Sequence, residues 1–235
     1  EKANNVLLPI KGTQKNNGFP PIKPEDDIQK KYIWHPHIYS PGNPGEINGI
    51  TAPYAELAAA ATGLGVINFS PDGDGISRRI PLIFKSENGY CFSLILVAIM
   101  HYFNVDPQNI IISFGEEIKL NDAHLPDGRV KDFYIPIDMQ GKMLVNYPAP
   151  YKDSIEFFPV RELVHYQDNR GKYVLSDEML TNTFVIVTET SAANTINVAT
   201  IFDTVAAHNE VLVSAVNTIL TENFLYLPAE IDMWS

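Results

Sequence analysis

G-V-I-N-F-S-P-D-G-D-G-I-S-R-R-I-P-L, residues Gly65 to Leu82, is the stretch on which the reading of this chain turns. Two apolar runs, Val66 to Phe69 and Ile80 to Phe84, flank a polar segment with two Asp, two Gly and two adjacent Arg. Ser70 to Gly75 is concentrated turn chemistry. Gly supplies positive φ, Pro presets φ, and an Asp side chain accepts from backbone N–H groups nearby. A strand, a tight turn and a returning strand are therefore expected, as a hairpin. Such a turn would hold Asp72 and Asp74 close to Arg78 and Arg79. Alternation puts the two Arg on opposite faces of the returning strand, so only one can face inward. A guanidinium turned inward requires a carboxylate or another anion beside it. The four residues are read either as a salt-bridged turn or as part of a ligand site.

Working outward, 235 residues with 45 % hydrophobic and 11 % aromatic content can bury a substantial core, and one domain is the expectation. The formal charge is −11, from 28 acidic against 17 basic residues. An acidic surface repels phosphate backbones and anionic lipid, which argues against nucleic acid as a partner and against flat docking on a leaflet. Cys91 is the only cysteine, so no intramolecular disulfide can form, and its apolar neighbours predict a buried, inert thiol. The longest apolar run, Leu94 to Met100, falls well short of the ~20 residues needed to span a bilayer.

Upstream of the turn, Asn5 to Ile10 reads as a strand ending at Pro9. Residues 11 to 50 are loop-like and proline-rich; a loop of that length is functional, mobile or padded with short strands. Its His35-Pro36-His37 reads as a pair of surface histidines rather than a metal site, since no third ligand follows. Thr51 can cap an Ala-rich helix over Tyr54 to Thr62, stopped by Gly63 and Gly65. Downstream, Tyr90 to Phe103 reads as a buried helix by its length. Ile110 to Phe114, Ile118 to Leu120, Asp132 to Ile137 and Lys142 to Asn146 read as an antiparallel meander.

Phe157 to Tyr166 reads as a short helix entered through Pro159. Thr183 to Val187 is a continuous apolar run expected as a central strand in a covered sheet. The loop after such a strand is where open α/β sheets bind ligands, which makes Thr188, Glu189, Thr190 and Ser191 candidates by position. Asn209 to Leu220 is an amphipathic helix with Val213, Val216, Asn217 and Leu220 at helical spacing. His208 and Glu210, at its start, are read as capping and dipole residues. The expected class is mixed α/β, with a central mixed sheet, flanking helices and the meander around residues 109 to 148.

Motifs with defined chemistry are missing: the sequence has no Walker loop, dinucleotide fingerprint, H-E-x-x-H or nucleophile elbow. Asp72-Gly73-Asp74-Gly75 fails as a calcium loop, because Ile76 stands at the third ligand position. A divalent-ion hydrolase using Asp72 and Asp74 stays open as one alternative function, and a structural dimerisation module as another. No cofactor is expected.

The set D-G-D-G-I-S-R-R-I-P-L (Asp72 to Leu82) followed by an apolar helix with Ser93-Leu94 resembles the second type of CHASE domain, the cyclase/histidine-kinase-associated sensing extracellular domain. Ile135-Pro136-Ile137-Asp138 through Gly141 to Asn146-Tyr147 is similar to its i-P-x-D-x-x-G-x-x-x-I-N-Y segment. Phe184 to Val187 resembles its late strand, and His208 to Leu220 its closing helix. The resemblance covers about residues 50 to 227. The family's opening I-V-i-V-x-I-D strand and W-P-x-x-R helix are not found, so the chain is expected to be the later part of such a domain. Asn194 to Ile201 replaces the D-x-x-x-T-P loop, Asn209-Glu210 replaces P-G, and Ser214 stands where His is common.

The resemblance implies one sensor domain over residues 1–235, with a strand and irregular loop to residue 50 and the sensor core over 51–227. It would lie outside the cytoplasm, in the periplasm of a bacterial cell, as part of an inner-membrane receptor. Membrane helices outside this chain would lead to a cytoplasmic cyclase or kinase. A small-molecule or protein stimulus and a homodimeric receptor are expected, with Asp72, Asp74, Arg78, Arg79, Thr188 and Thr190 as the candidate ligand residues.

Overall fold

The computed structural model describes residues 5–13, 26–148, 158–160, 181, 183–188 and 197–226. In chain order the first strands are β1 (Leu7–Thr13), β2 (Ile33–Trp34), β3 (His37–Ser40), β4 (Glu46–Ile47), β5 (Gly49–Thr51) and β6 (Gly63–Val66). They continue as β7 (Arg79–Pro81), β8 (Ile83–Ser86), β9 (Gly89–Phe92), β10 (Ile110–Ser113), β11 (Glu117–His124) and β12 (Val130–Pro136). The last are β13 (Lys142–Leu144), β14 (Asn197–Val198) and β15 (Ala206–Ala207). The helices are α1 (Asp26–Gln29), α2 (Ala55–Ala60), α3 (Leu94–Tyr102) and α4 (His208–Leu220). The class is mixed α/β, with the strands divided among several small sheets in the orders β5-β1-β6, β12-β11-β10-β3, β2-β9-β8-β4, β13-β7 and β14-β15.

The expected hairpin does not form. β6 pairs in parallel with β1, Leu7 opposite Gly63 through Ile10 opposite Val66, whereas β7 pairs antiparallel with β13. The tight turn at Asp72 is present, but it sits at the tip of a wide loop between strands of different sheets. The reason lies in burial: all four residues of β6 are buried, so its apolar groups are satisfied by β1 and α3 rather than by the returning segment. Gly63 and Gly65 make that approach possible. A Cβ on Gly65 would lie 2.3 Å from Leu94 Cα, and one on Gly63 2.9 Å from His101 Nε2.

Helix α3 is shorter than its apolar run. Gly89 (φ +140°) opens β9, which takes up Tyr90 to Phe92, and the Ser93 hydroxyl then accepts the Leu96 N–H at 3.2 Å as N-cap. Ile95, Leu96, Val97, Ile99 and Met100 are all buried. Each such side chain contributes roughly 1.5–3 kcal/mol. α2 begins after Tyr54 with no side-chain cap, because Thr51 is taken into β5. Its C-terminal end is held by Lys31, whose Nζ donates to the carbonyls of Ala58, Ala59 and Ala61 at 3.0, 2.6 and 2.7 Å.

Strand β1 runs on through Pro9 to Thr13, changing partners from β6 to antiparallel β5 at Lys11. The region after it is padded with β2 to β5, as a long irregular stretch requires. β10, β11 and β12 form the antiparallel meander, joined by β3 in parallel on its outer side. Lys142–Leu144 leaves the meander for β7. Segment 183–188 carries no strand, and Val185, Ile186 and Val187 are exposed. Phe184 packs its ring 4.9 Å from Tyr102. Of the expected helix over Phe157 to Tyr166, only Phe158, Pro159 and Val160 lie among the described residues, and Val160 alone is helical.

Candidate functional site

The site grows from two turns of one local design. At the first, the Asp72 N–H donates to Ile76 O at 3.0 Å and the Gly75 N–H to Asp72 O at 2.8 Å, with Gly75 at φ +85°. At the second, the Asp138 N–H donates to Lys142 O at 2.9 Å and the Gly141 N–H to Asp138 O at 2.9 Å, with Gly141 at φ +71°. Each turn feeds one strand of the β7–β13 pair, in which Arg79 faces Leu144 and Ile80 faces Met143. The D-G-D-G-I-S-R-R and P-I-D-M-Q-G segments thus come together in space.

The guanidinium groups fill the gap between the turns. Arg78 grips Asp74 with both Nη atoms, 3.0 Å to Oδ1 and 2.8 Å to Oδ2, and lies 3.6 Å from Asp72 Oδ2. Arg79 lies 3.4 Å from Asp72 Oδ1 on one side and 3.9 Å from Asp138 Oδ2 on the other. The Arg78 bond, helped by the Ile76 N–H, holds the Asp74 carboxyl down at about 2. The same bond raises Arg78. Neither arginine enters the apolar core: their side chains are 39 % and 26 % exposed, and both are committed to carboxylates.

Beneath the ion pairs lies a buried polar layer. The Tyr147 hydroxyl donates to Ser77 O at 2.6 Å, and the Ser77 N–H donates to Ala199 O at 2.7 Å. Burial pushes Tyr147 above the usual tyrosine range, and the carboxylates of Asp72 and Glu210 push it further. Among the described residues, the buried Asp72 Oδ2, Ser77 Oγ and Asn209 Nδ2 have no hydrogen-bond partner. Glu210 accepts the Ala207 N–H at 3.2 Å, which bears out its capping role at the start of α4. His208 instead stacks on Phe69 with ring centroids 4.3 Å apart, and burial lowers its pKa.

A hydrogen-bonded path leaves this cluster. The Val145 N–H donates to Arg78 O at 2.8 Å. Asn146, next along, donates its N–H to Thr218 Oγ1 at 3.0 Å and its side-chain amide to Asn223 O at 3.0 Å. Thr218 returns a hydroxyl bond to Asn146 O at 3.2 Å. The segment after α4 is also tied by a 2.6 Å ion pair between Lys131 and Glu222 and by Phe224 edge-on to Phe133. Of the expected apolar stripe of α4, Val216 is buried, whereas Val213, Asn217 and Leu220 flank the buried face. The buried face carries Asn209, Ser214 and Thr218 beside Val211, Ala215 and Ile219, because it must meet this polar path.

The structure brings together Asp72, Asp74, Arg78 and Arg79. Thr188 is exposed on segment 183–188, while Glu189, Thr190 and Ser191 lie outside the described residues. Sequence reasoning did not name Asp138, Asn146 or Tyr147 as site residues, although the D-x-x-G turn signal pointed to the first. His35 and His37 are exposed, and among the described residues no group of three or more His, Cys, Asp or Glu comes together. Cys91 is fully buried and its thiol is pushed up to about 12 by that burial.

The model of the CHASE2 domain family matches residues 2–235, essentially the whole chain. The chain belongs to the CHASE2 domain family. CHASE2 domains are extracellular sensory domains of signalling proteins. No curated protein and no solved structure matches this CHASE2 domain. No helix among its described residues is long and apolar enough to cross a membrane.

Proposed function

We propose that this CHASE2 domain is the periplasmic, stimulus-receiving part of a homodimeric receptor anchored in the inner membrane of a bacterium, coupled to a cytoplasmic cyclase or kinase. Asp72, Asp74, Arg78 and Arg79 form the element that a small-molecule or protein stimulus rearranges, with Thr188 and Thr190 as further contacts. The observation that carries the reading is the Asn146 clamp. One residue ties the strand next to Arg78 both to α4 and to Asn223, beyond that helix. A shift of Arg78 or Arg79 between carboxylates therefore moves the segment that leads onward, and a stimulus acts by favouring one of the two arrangements.

The full-length protein in membrane vesicles tests this through cyclic-nucleotide formation and phosphoryl transfer from ATP. Asn146→Ala is expected to change basal output several-fold while the domain stays folded. An unaltered output from a folded variant, or neither activity in the native protein, would overturn the coupling. Placement has its own test. Tyr54 is 82 % exposed and Cys91 is buried, so Tyr54→Cys is expected to react with a membrane-impermeant maleimide in intact spheroplasts. Labelling only after lysis sinks the periplasmic assignment.

A further inference from the structure

Away from the ionic cluster, β4 and β8 run in parallel, with Glu46 beside Lys85 and Ile47 beside Ser86. Where the two strands end they bound an open cleft of about 230 Å³, lined by Glu46, Ile47, Asn48, Lys85, Ser86 and Glu87. Ile47 is buried, and the three charged residues are exposed. Glu46 and Lys85 are register neighbours of opposite charge, yet they form no ion pair with each other. Among the described residues neither the Lys85 ammonium nor the Glu46 or Glu87 carboxylate has an ion-pair partner. The arginines and aspartates of the ionic cluster are by contrast all paired.

We propose that this cleft binds a small zwitterionic solute of the amino-acid class. Lys85 takes its carboxylate, and Glu46 and Glu87 take its ammonium group. The charge pattern selects that class: a simple anion would face two carboxylates, and a simple cation would leave Lys85 unused beside a like charge. A dipolar solute satisfies both signs at once. Size agrees, since the volume equals that of roughly seven or eight waters at ~30 Å³ each. That is room for a free amino acid, and it is below the ~300–1,000 Å³ of pockets for drug-sized ligands. Ser86 and Asn48 complete the wall. Because the charges are solvent-exposed, the affinity is millimolar and falls with added salt.

The test uses the full-length protein in lipid nanodiscs, with saturation-transfer NMR titrations of L-alanine, L-glutamine and L-arginine. Propionate and ethylamine serve as single-charge controls. At least one amino acid is expected to bind saturably, and each control at least tenfold more weakly. Lys85→Met is expected to weaken amino-acid binding at least tenfold, Lys85→Arg to restore it, and Glu46→Gln with Glu87→Gln to weaken it similarly. Three results overturn the proposal: no saturable binding of any of the three amino acids, propionate or ethylamine binding as tightly as they do, or binding indifferent to the Lys85→Met and Glu46→Gln/Glu87→Gln variants. Binding is read without any signalling output, so the result is independent of the receptor assignment.

Discussion

The turns at Asp72–Ile76 and Asp138–Lys142 share a hydrogen-bond pattern and a glycine in the same place, yet they serve different ends. Around Gly141 the surroundings are full: an added Cβ would meet Phe114 Cε1 at 3.1 Å and Ile83 Cβ at 3.3 Å. Around Gly75 there is nothing within 4 Å. The Asp138 carboxylate spends Oδ1 on the backbone, accepting the Gln140 and Lys142 N–H groups at 2.8 and 2.9 Å. Asp72 turns its carboxylate toward guanidinium groups instead, and Asp74 divides its own between Arg78 and the Ile76 N–H. One turn is a packed corner of the core and the other an ion-paired tip at the surface. The same local code yields either, and the neighbours decide.

The comparison is broken most directly at the glycines. Gly141→Ala imposes a left-handed φ on an alanine and overpacks the Phe114–Ile83 contact, with an expected loss of about 2–3 kcal/mol in chemical denaturation. Asp138→Ala leaves two backbone N–H groups without their acceptor and is expected to cost about 1–2 kcal/mol. Asp138→Asn keeps an acceptor oxygen and should recover most of that loss, which separates the backbone role from the charge facing Arg79. Gly75→Ala meets only the backbone penalty, about 1 kcal/mol. Equal costs for the two glycine variants would mean that burial does not distinguish the turns.

The smallest effect concerns acid. Asp74 titrates at about 2 in the folded protein against an ordinary 3.8, so its folded-state value is depressed. The stability this confers is present above the ordinary value and is lost as pH falls from there toward about 2. Asp74→Asn should flatten that part of the acid limb and leave the denaturation midpoint at neutral pH nearly unmoved, because exposed ion pairs contribute little. An acid limb identical to that of the native protein would show that the Arg78 grip does not persist in solution.

Much of this was legible in the residues. Gly75 and Gly141 announce left-handed turns, and the alternation after Asn109 announces the meander. The ordered set of segments named the family. Thr183 to Val187 misled because an apolar run reads the same whether it enters a sheet or lies outside one with Phe184 packed on Tyr102. The α4 face misled because hydrophobic spacing does not register a helix buried through Asn209, Ser214 and Thr218.

The sequence by itself determined the turns, the helices' approximate places and the family, since each depends on dihedral preferences and patterns within a few neighbouring residues. Only the tertiary structure decided that β6 and β7 go to different partners, that Arg79 stands between Asp72 and Asp138, and that Asn146 joins this cluster to Asn223. Those outcomes depend on which distant surfaces bury each other best. That is a sum over contacts far apart in the chain, which no local stretch contains.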